Sequence, residues 1–95
     1  MKAKSVYKIP DGKLIKVDLD FDKKTNKINN LYITGDFFAY PEESIEYIEK
    51  NLKDTYLDKD VLFKKINSII KDNSIEFIGL NCEGITVAIM MCLND

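Results

Sequence analysis

The residues best placed to do chemistry in this 95-residue chain form one short motif, Gly35-Asp36-Phe37-Phe38. Two roles fit it. In one, Asp36 stands exposed in a turn that contacts a ligand or a partner. In the other, the motif is a strand-to-helix corner in which Gly35 supplies backbone freedom, Asp36 bonds nearby N–H groups, and Phe37 and Phe38 plug the core. Cys82, near a predicted helix start, is the one residue that could work as a thiolate. Nothing cationic stands beside it in sequence, and a free cysteine commonly packs as a small hydrophobe. Cys92, inside an apolar run, reads as packing. The pairs Asp18/Asp20 and Glu42/Glu43 could bind a cation or do acid–base work. Lys13 and Lys16 run alongside the first pair, and both pairs read as solvated surface.

What is missing narrows the chemistry further. All fourteen basic residues are lysines, and the chain has no histidine, arginine or tryptophan. The usual general base near neutral pH is therefore absent, as is the commonest nitrogen ligand for zinc. So is the bidentate fork that grips phosphate and carboxylate. No glycine-rich loop of the phosphate-cradling kinds occurs. A net charge of −2 offers little counterion-release affinity, and the lysines form no stripe interleaved with aromatics, which argues against nucleic acid. The longest apolar stretch, Ile85 to Leu93, is too short to cross a bilayer. The opening Met1-Lys2-Ala3-Lys4-Ser5 is not followed by the apolar core of a signal peptide. The two cysteines lack the spacing of a disulfide framework or metal clip and read as reduced thiols in a cytoplasmic protein. Residue chemistry alone points to a binding module with no catalytic, cofactor or metal site.

The elements that must position these residues follow from periodicity. With 45% apolar and 32% charged residues, the chain is expected to form one globular domain over residues 1–95, small enough to lean on a partner for part of its burial. Val6, Tyr7 and Ile9 lead into the turn Pro10-Asp11-Gly12. Leu14 to Asp22 then alternates, with Val17, Leu19 and Phe21 on one face and Lys16, Asp18 and Asp20 on the other, as in a half-buried antiparallel strand. A polar hairpin over residues 22–27 returns as a third strand from Ile28 to Thr34, with Leu31 and Ile33 inward. Pro41 suits the first turn of a helix, Glu42 and Glu43 suit its positive end, and Ile45, Ile48 and Leu52 form its apolar stripe. A second helix over Asp60 to Lys71 carries Val61, Leu62, Ile66, Ile69 and Ile70 as a stripe, with Lys64, Lys65 and Lys71 outside it. Ser74 to Gly79 reads as extended. Asn81 could cap a last helix with Glu83 in its first turn, but the β-branched run from Ile85 fits a strand as well. The expected class is α+β, an antiparallel three-stranded meander followed by helices on one face.

Three segments together resemble the C-terminal accessory domain of lipoate–protein ligases. Tyr7 to Leu19 is similar to that family's opening hairpin "K-x-P-x-G-K-L-I-K-V". Ile33 to Phe38 with Pro41-Glu42-Glu43 is similar to its "GDFF…P" corner. Gly79-Leu80-Asn81-Cys82-Glu83-Gly84-Ile85 stands where the family has a "G-[VL]-[ST]-P-E-[DE]-[FIL]" helix start, with Asn81-Cys82 replacing Ser/Thr-Pro and Gly84 replacing an acid. The resemblance implies a SufE/NifU-like scaffold and a role as a non-catalytic subunit of a two-component ligase. It implies docking on a catalytic subunit that activates lipoate with ATP and magnesium to lipoyl-AMP. Transfer then goes to a lysine of a lipoyl domain, in a 2-oxoacid dehydrogenase E2 or the glycine-cleavage H protein. Gly35, Asp36, Phe37, Phe38 and Met91 are the expected partner contacts. The alternatives are a stand-alone thiol or sulfur carrier using Cys82, and a generic protein-interaction module.

Overall fold

The computed structural model describes residues 1–94 and has the order β1 (Lys2–Lys8), β2 (Leu14–Asp22), β3 (Lys27–Gly35), β4 (Phe38–Tyr40), α1 (Ser44–Asn51), α2 (Lys59–Asp72), β5 (Glu76–Ile78), α3 (Cys82–Met91) and a final 3-10 turn, Cys92–Asn94. Strands β1, β2 and β3 form an antiparallel meander, as the alternation predicts. Register pairs Leu19 with Leu31 and Val17 with Ile33. All four are buried, each adding about 1.5–3 kcal/mol of apolar burial. The opposite face is charged and solvated. There Asp18 lies between Lys4 and Tyr32, with the Lys4 ammonium 3.7 Å away. The carboxylates Asp18 and Asp20 thus belong to a wet sheet face, as expected.

The helices cover the apolar face: α1 against β3, and α3 against β1 and β2 with α2 outside it. The first strand begins earlier than its hydrophobicity suggests. Ala3, Ser5 and Tyr7 are its half-buried residues, and the Ser5 hydroxyl donates to the Ala88 carbonyl of α3 at 2.6 Å. Helix α2 starts at a cap that periodicity did not reveal: the Asp58 carboxylate accepts from the amides of Asp60 and Val61. Leu62, Ile66 and Ile69 of its predicted stripe are buried, but Val61 is 41% exposed. Its neighbour Leu62 is fully buried, so Val61, about 100° round the helix from it, faces away from the core.

The ambiguous tail is helical. The Asn81 side chain accepts from the Gly84 amide at 2.6 Å, satisfying a donor that a helix start would otherwise leave orphaned. Covered by α2, β1 and β2, α3 buries Ile85, Thr86, Ala88 and Ile89. The first helix differs from expectation. Tyr40 is still in β4, paired with Glu76, and α1 begins only at Ser44. Pro41 and Glu42 precede the helix in a turn closed by the Ser44 amide on the Pro41 carbonyl (3.0 Å), Glu43 is its N-cap, and Glu46 is the acid of the first turn.

Candidate functional site

The three resembling segments, far apart in sequence, meet at one end of the sheet. The Lys13 amide, in the turn between β1 and β2, donates to the Gly79 carbonyl at 2.9 Å, and a Cβ on Gly12 would stand 2.9 Å from that same oxygen. The Asp36 amide donates to the Leu14 carbonyl at 3.2 Å. Gly84, in the first turn of α3, rests on Ile9, whose Cδ1 would lie 2.7 Å from any Cβ there. These close approaches explain why the segments carry glycine where they cross.

From this junction the chain projects a feature that periodicity did not reveal, the two-stranded ribbon of β4 and β5. Phe38 lies opposite Ile78, Ala39 opposite Phe77, and Tyr40 opposite Glu76. Alternation along so short a ribbon sends Phe77 inward onto the core and leaves the Phe38 and Tyr40 side outside. Phe38 is 61% exposed, Ile78 58% and Tyr40 53%. The expectation that both phenylalanines plug the core therefore holds only for Phe37, which is half-buried against it. Phe38 is turned out because its β4 neighbour Ala39 takes the inward position.

Nor does the Asp36 side chain bond nearby N–H groups, as the corner role would have it. Its carboxylate is exposed and makes no hydrogen bond or ion pair among the described residues; only its backbone amide is used. Gly35, Asp36, Phe37 and Phe38 are thus brought together with Tyr40, Ile78 and Glu76. Met91 is not. Helix α3 runs back along β1, with Gly84 at Ile9 and Ala88 at Ser5, so half-buried Met91 lies toward the opposite end of the sheet. About 10 Å of helix separates it from Gly84.

The remaining candidates are chemically quiet. The Cys82 sulfur is half-buried and donates to the Phe63 carbonyl at 3.4 Å. Burial pushes its thiol above the usual range and the charge of Glu83 adds to that, while Thr86 acts in the opposite direction. Cys92 is buried, with its thiol 3.7 Å from the Ala88 carbonyl. No group of three or more metal-ligating side chains gathers among the described residues. The extended segment did carry a signal for the ribbon, since Ile75 and Phe77 face in while Glu76 and Ile78 face out. What the sequence pattern could not supply was the strand that pairs with it.

The chain matches the family "Bacterial lipoate protein ligase C-terminus" over residues 10–86. It is 42% identical over 59 residues to "Lipoate-protein ligase A subunit 2" of Thermoplasma acidophilum, an alignment covering 62% of this chain and 54% of that protein. The chain thus spans about half the length of the curated relative it matches. Its fold is similar, at a TM-score of 0.78 and 27% identity over 94% of both chains, to a chain in the structure of an archaeal lipoylation system, "a bi-partite lipoate protein ligase and its E2 lipoyl domain" from the same organism. The family match runs unbroken from the Pro10 turn through the Gly35–Phe38 corner to the capped start of α3, and the chain belongs to the lipoate–protein ligase C-terminal family.

Proposed function

We propose that this chain, as a single accessory domain over residues 1–95, is the non-catalytic subunit of a two-component lipoate–protein ligase. It docks on a separate catalytic subunit and enables ATP-dependent activation of lipoate to lipoyl-AMP. The observation that carries this reading is the likeness, in sequence and in fold, to a subunit of a bipartite archaeal ligase. ATP, magnesium and lipoate then belong to the catalytic partner, and the lipoyl-domain lysine of an E2 or H protein receives the product in a reducing cytoplasm. The scaffold is read as SufE/NifU-like. Its thiol-carrier use is disfavoured by the burial that holds the Cys82 thiol protonated.

An accessory domain can act without supplying a reacting group by binding one conformation of its partner better than another. Moving a partner from about 1% to about 99% in its competent form takes roughly 5.5 kcal/mol of preference, within reach of an ordinary interface. Incubation with ATP, magnesium and lipoate tests the role. The chain alone is expected to give no lipoyl-AMP, and its addition to the catalytic subunit is expected to raise the yield strongly. Turnover by the pure chain, or indifference of the catalytic subunit to it, would overturn the reading.

A further inference from the structure

We infer that the outward face of the β4–β5 ribbon, with Phe38, Tyr40 and Ile78 inside a rim of Asp36, Glu42, Glu43 and Glu76, is the face that docks on the catalytic subunit, in an apolar cleft bordered by basic side chains. The inference rests on the accessory-subunit reading and adds the surface and the chemistry of its counterpart.

Three observations carry it. The first is the patch itself. Phe38 and Ile78 are direct cross-strand partners with Tyr40 two residues along, each more than half exposed. Large apolar side chains gathered on one face of a small domain mark an interaction site, whereas single ones do not. Aromatic residues are also the side chains that anchor interfaces.

The second is rigidity. The ribbon is tied by its own pairing, by the Asp36 amide on Leu14, and by Phe77 packed on the core. A patch already ordered before binding loses little conformational freedom when it docks.

The third is charge. Residues 36–49 contain Asp36, Glu42, Glu43, Glu46 and Glu49 and no lysine, and no lysine follows Lys71. All the lysines lie in residues 2–27 and 50–71; of these, Lys13 packs on Gly79 at the foot of the ribbon, and no lysine lies within the ribbon strands themselves. Of these acids, Glu49 is committed to the Ile33 amide, while Asp36, Glu42 and Glu43 are exposed beside the ribbon and Glu76 lies on it. This rim favours a cationic counterpart and steers its approach. It opposes a second copy of the chain, because a two-fold contact through the ribbon would set the same carboxylates against one another. It opposes nucleic acid for the same reason.

Calorimetric titration of the whole chain into the catalytic ligase subunit of the same organism tests the assignment. Phe38→Ser and Ile78→Ser should each weaken binding about thirtyfold or more while the free chain melts as before. The double change Glu43→Lys with Glu76→Lys should weaken it about tenfold at low salt, and the difference should shrink as salt is added. Tyr32→Ser removes a side chain that is 61% exposed on the charged sheet face, and it should bind like the parent. Suppose instead that the ribbon variants bind like the parent, or that Tyr32→Ser or Met91→Ser causes the loss. The ribbon assignment then fails, while the accessory role stands. If the parent chain neither binds nor stimulates the catalytic subunit, the accessory role itself fails. Self-association that Phe38→Ser abolishes would give the face to a second copy and overturn the inference.

Discussion

The carbonyl oxygen of Leu14 occupies the space that a Cβ on Gly35 would need. Gly35 has φ +157°, and the ring of Phe37 closes the same space from another side, 2.9 Å from that Cβ position. The obstacle on one side is backbone of β2, the middle strand of the sheet, so it cannot turn away as a side chain could. Gly35→Ala should therefore destabilise the domain by about 2–3 kcal/mol, and Gly35→Val by more. Asp36→Asn, which alters only a solvated carboxylate, should stay within about 0.5 kcal/mol of the parent. Urea denaturation of the three variants checks both. An Asp36 variant as unstable as Gly35→Ala would restore a structural role to that carboxylate.

The start of α3 hangs on Asn81. Its side chain is the acceptor for the Gly84 amide, and its backbone carbonyl takes the Ile85 amide. Asn81→Ala should cost about 1 kcal/mol, and Asn81→Ser should restore most of it. The loss should appear in the denaturation midpoint with an unchanged slope, because the cap holds a helix already packed on the core.

Much of this was legible in the sequence because one residue or one period decided it. Val17, Leu19 and Phe21 alternate with charges over enough positions to fix both the strand and its buried face. Asn81, followed by Glu83, offers a helix start, but the β-branched run behind it leaves a strand equally open, and the cap decides it. The ribbon was not legible, since Phe38-Ala39-Tyr40 is too short to show a period. What makes it a strand is pairing with Glu76–Ile78, a contact between distant segments. Missing that pairing displaced everything attached to it. Without it, the corner reading turns Phe38 inward, Pro41 falls inside the helix, and Glu76 and Ile78 are no more than part of an extended segment. The junction at Leu14 and Gly79 was invisible for the same reason, although its glycines were the trace of it.

Glu49 links stability to pH. It accepts the Ile33 amide at 2.7 Å on the outer side of β3, a donor that the meander leaves unpaired. Burial raises its carboxyl above the usual carboxylate range and the charge of Glu46 adds to this, against the lowering effect of the Ile33 amide. The folded chain thus keeps this proton to higher pH than the unfolded chain. The stability it contributes is complete below the ordinary carboxylate range and is lost as pH rises through the raised value. Glu49→Gln keeps an acceptor for Ile33, so it should flatten that fall and match or slightly exceed the parent at neutral pH. Glu49→Leu removes the acceptor and should cost about 1 kcal/mol. Urea midpoints from about pH 4 to about pH 7 separate the two effects.

A sulfur carrier and an accessory subunit require opposite behaviour of Cys82. A carrier needs an exposed thiolate at neutral pH. The position has one feature that would help, since Cys82 opens α3 and the positive end of a helix lowers a thiol's pKa. Burial of the sulfur wins against it, with Glu83 on the same side of the balance, and the thiol is held above its usual range. The folded chain therefore keeps the Cys82 proton to higher pH than the unfolded chain does. Iodoacetamide at neutral pH should modify it more slowly than the same cysteine in urea, and the folded-state rate should climb only above the ordinary thiol range. Cys82→Ser should leave the yield of lipoyl-AMP from the two-subunit mixture unchanged within about twofold. Its effect on stability should be small, about 1 kcal/mol or less, because the serine hydroxyl can still donate to the Phe63 carbonyl. Fast alkylation of the folded chain, with a Cys82→Ser variant that folds but no longer supports the ligase, would move the function from docking to thiol chemistry.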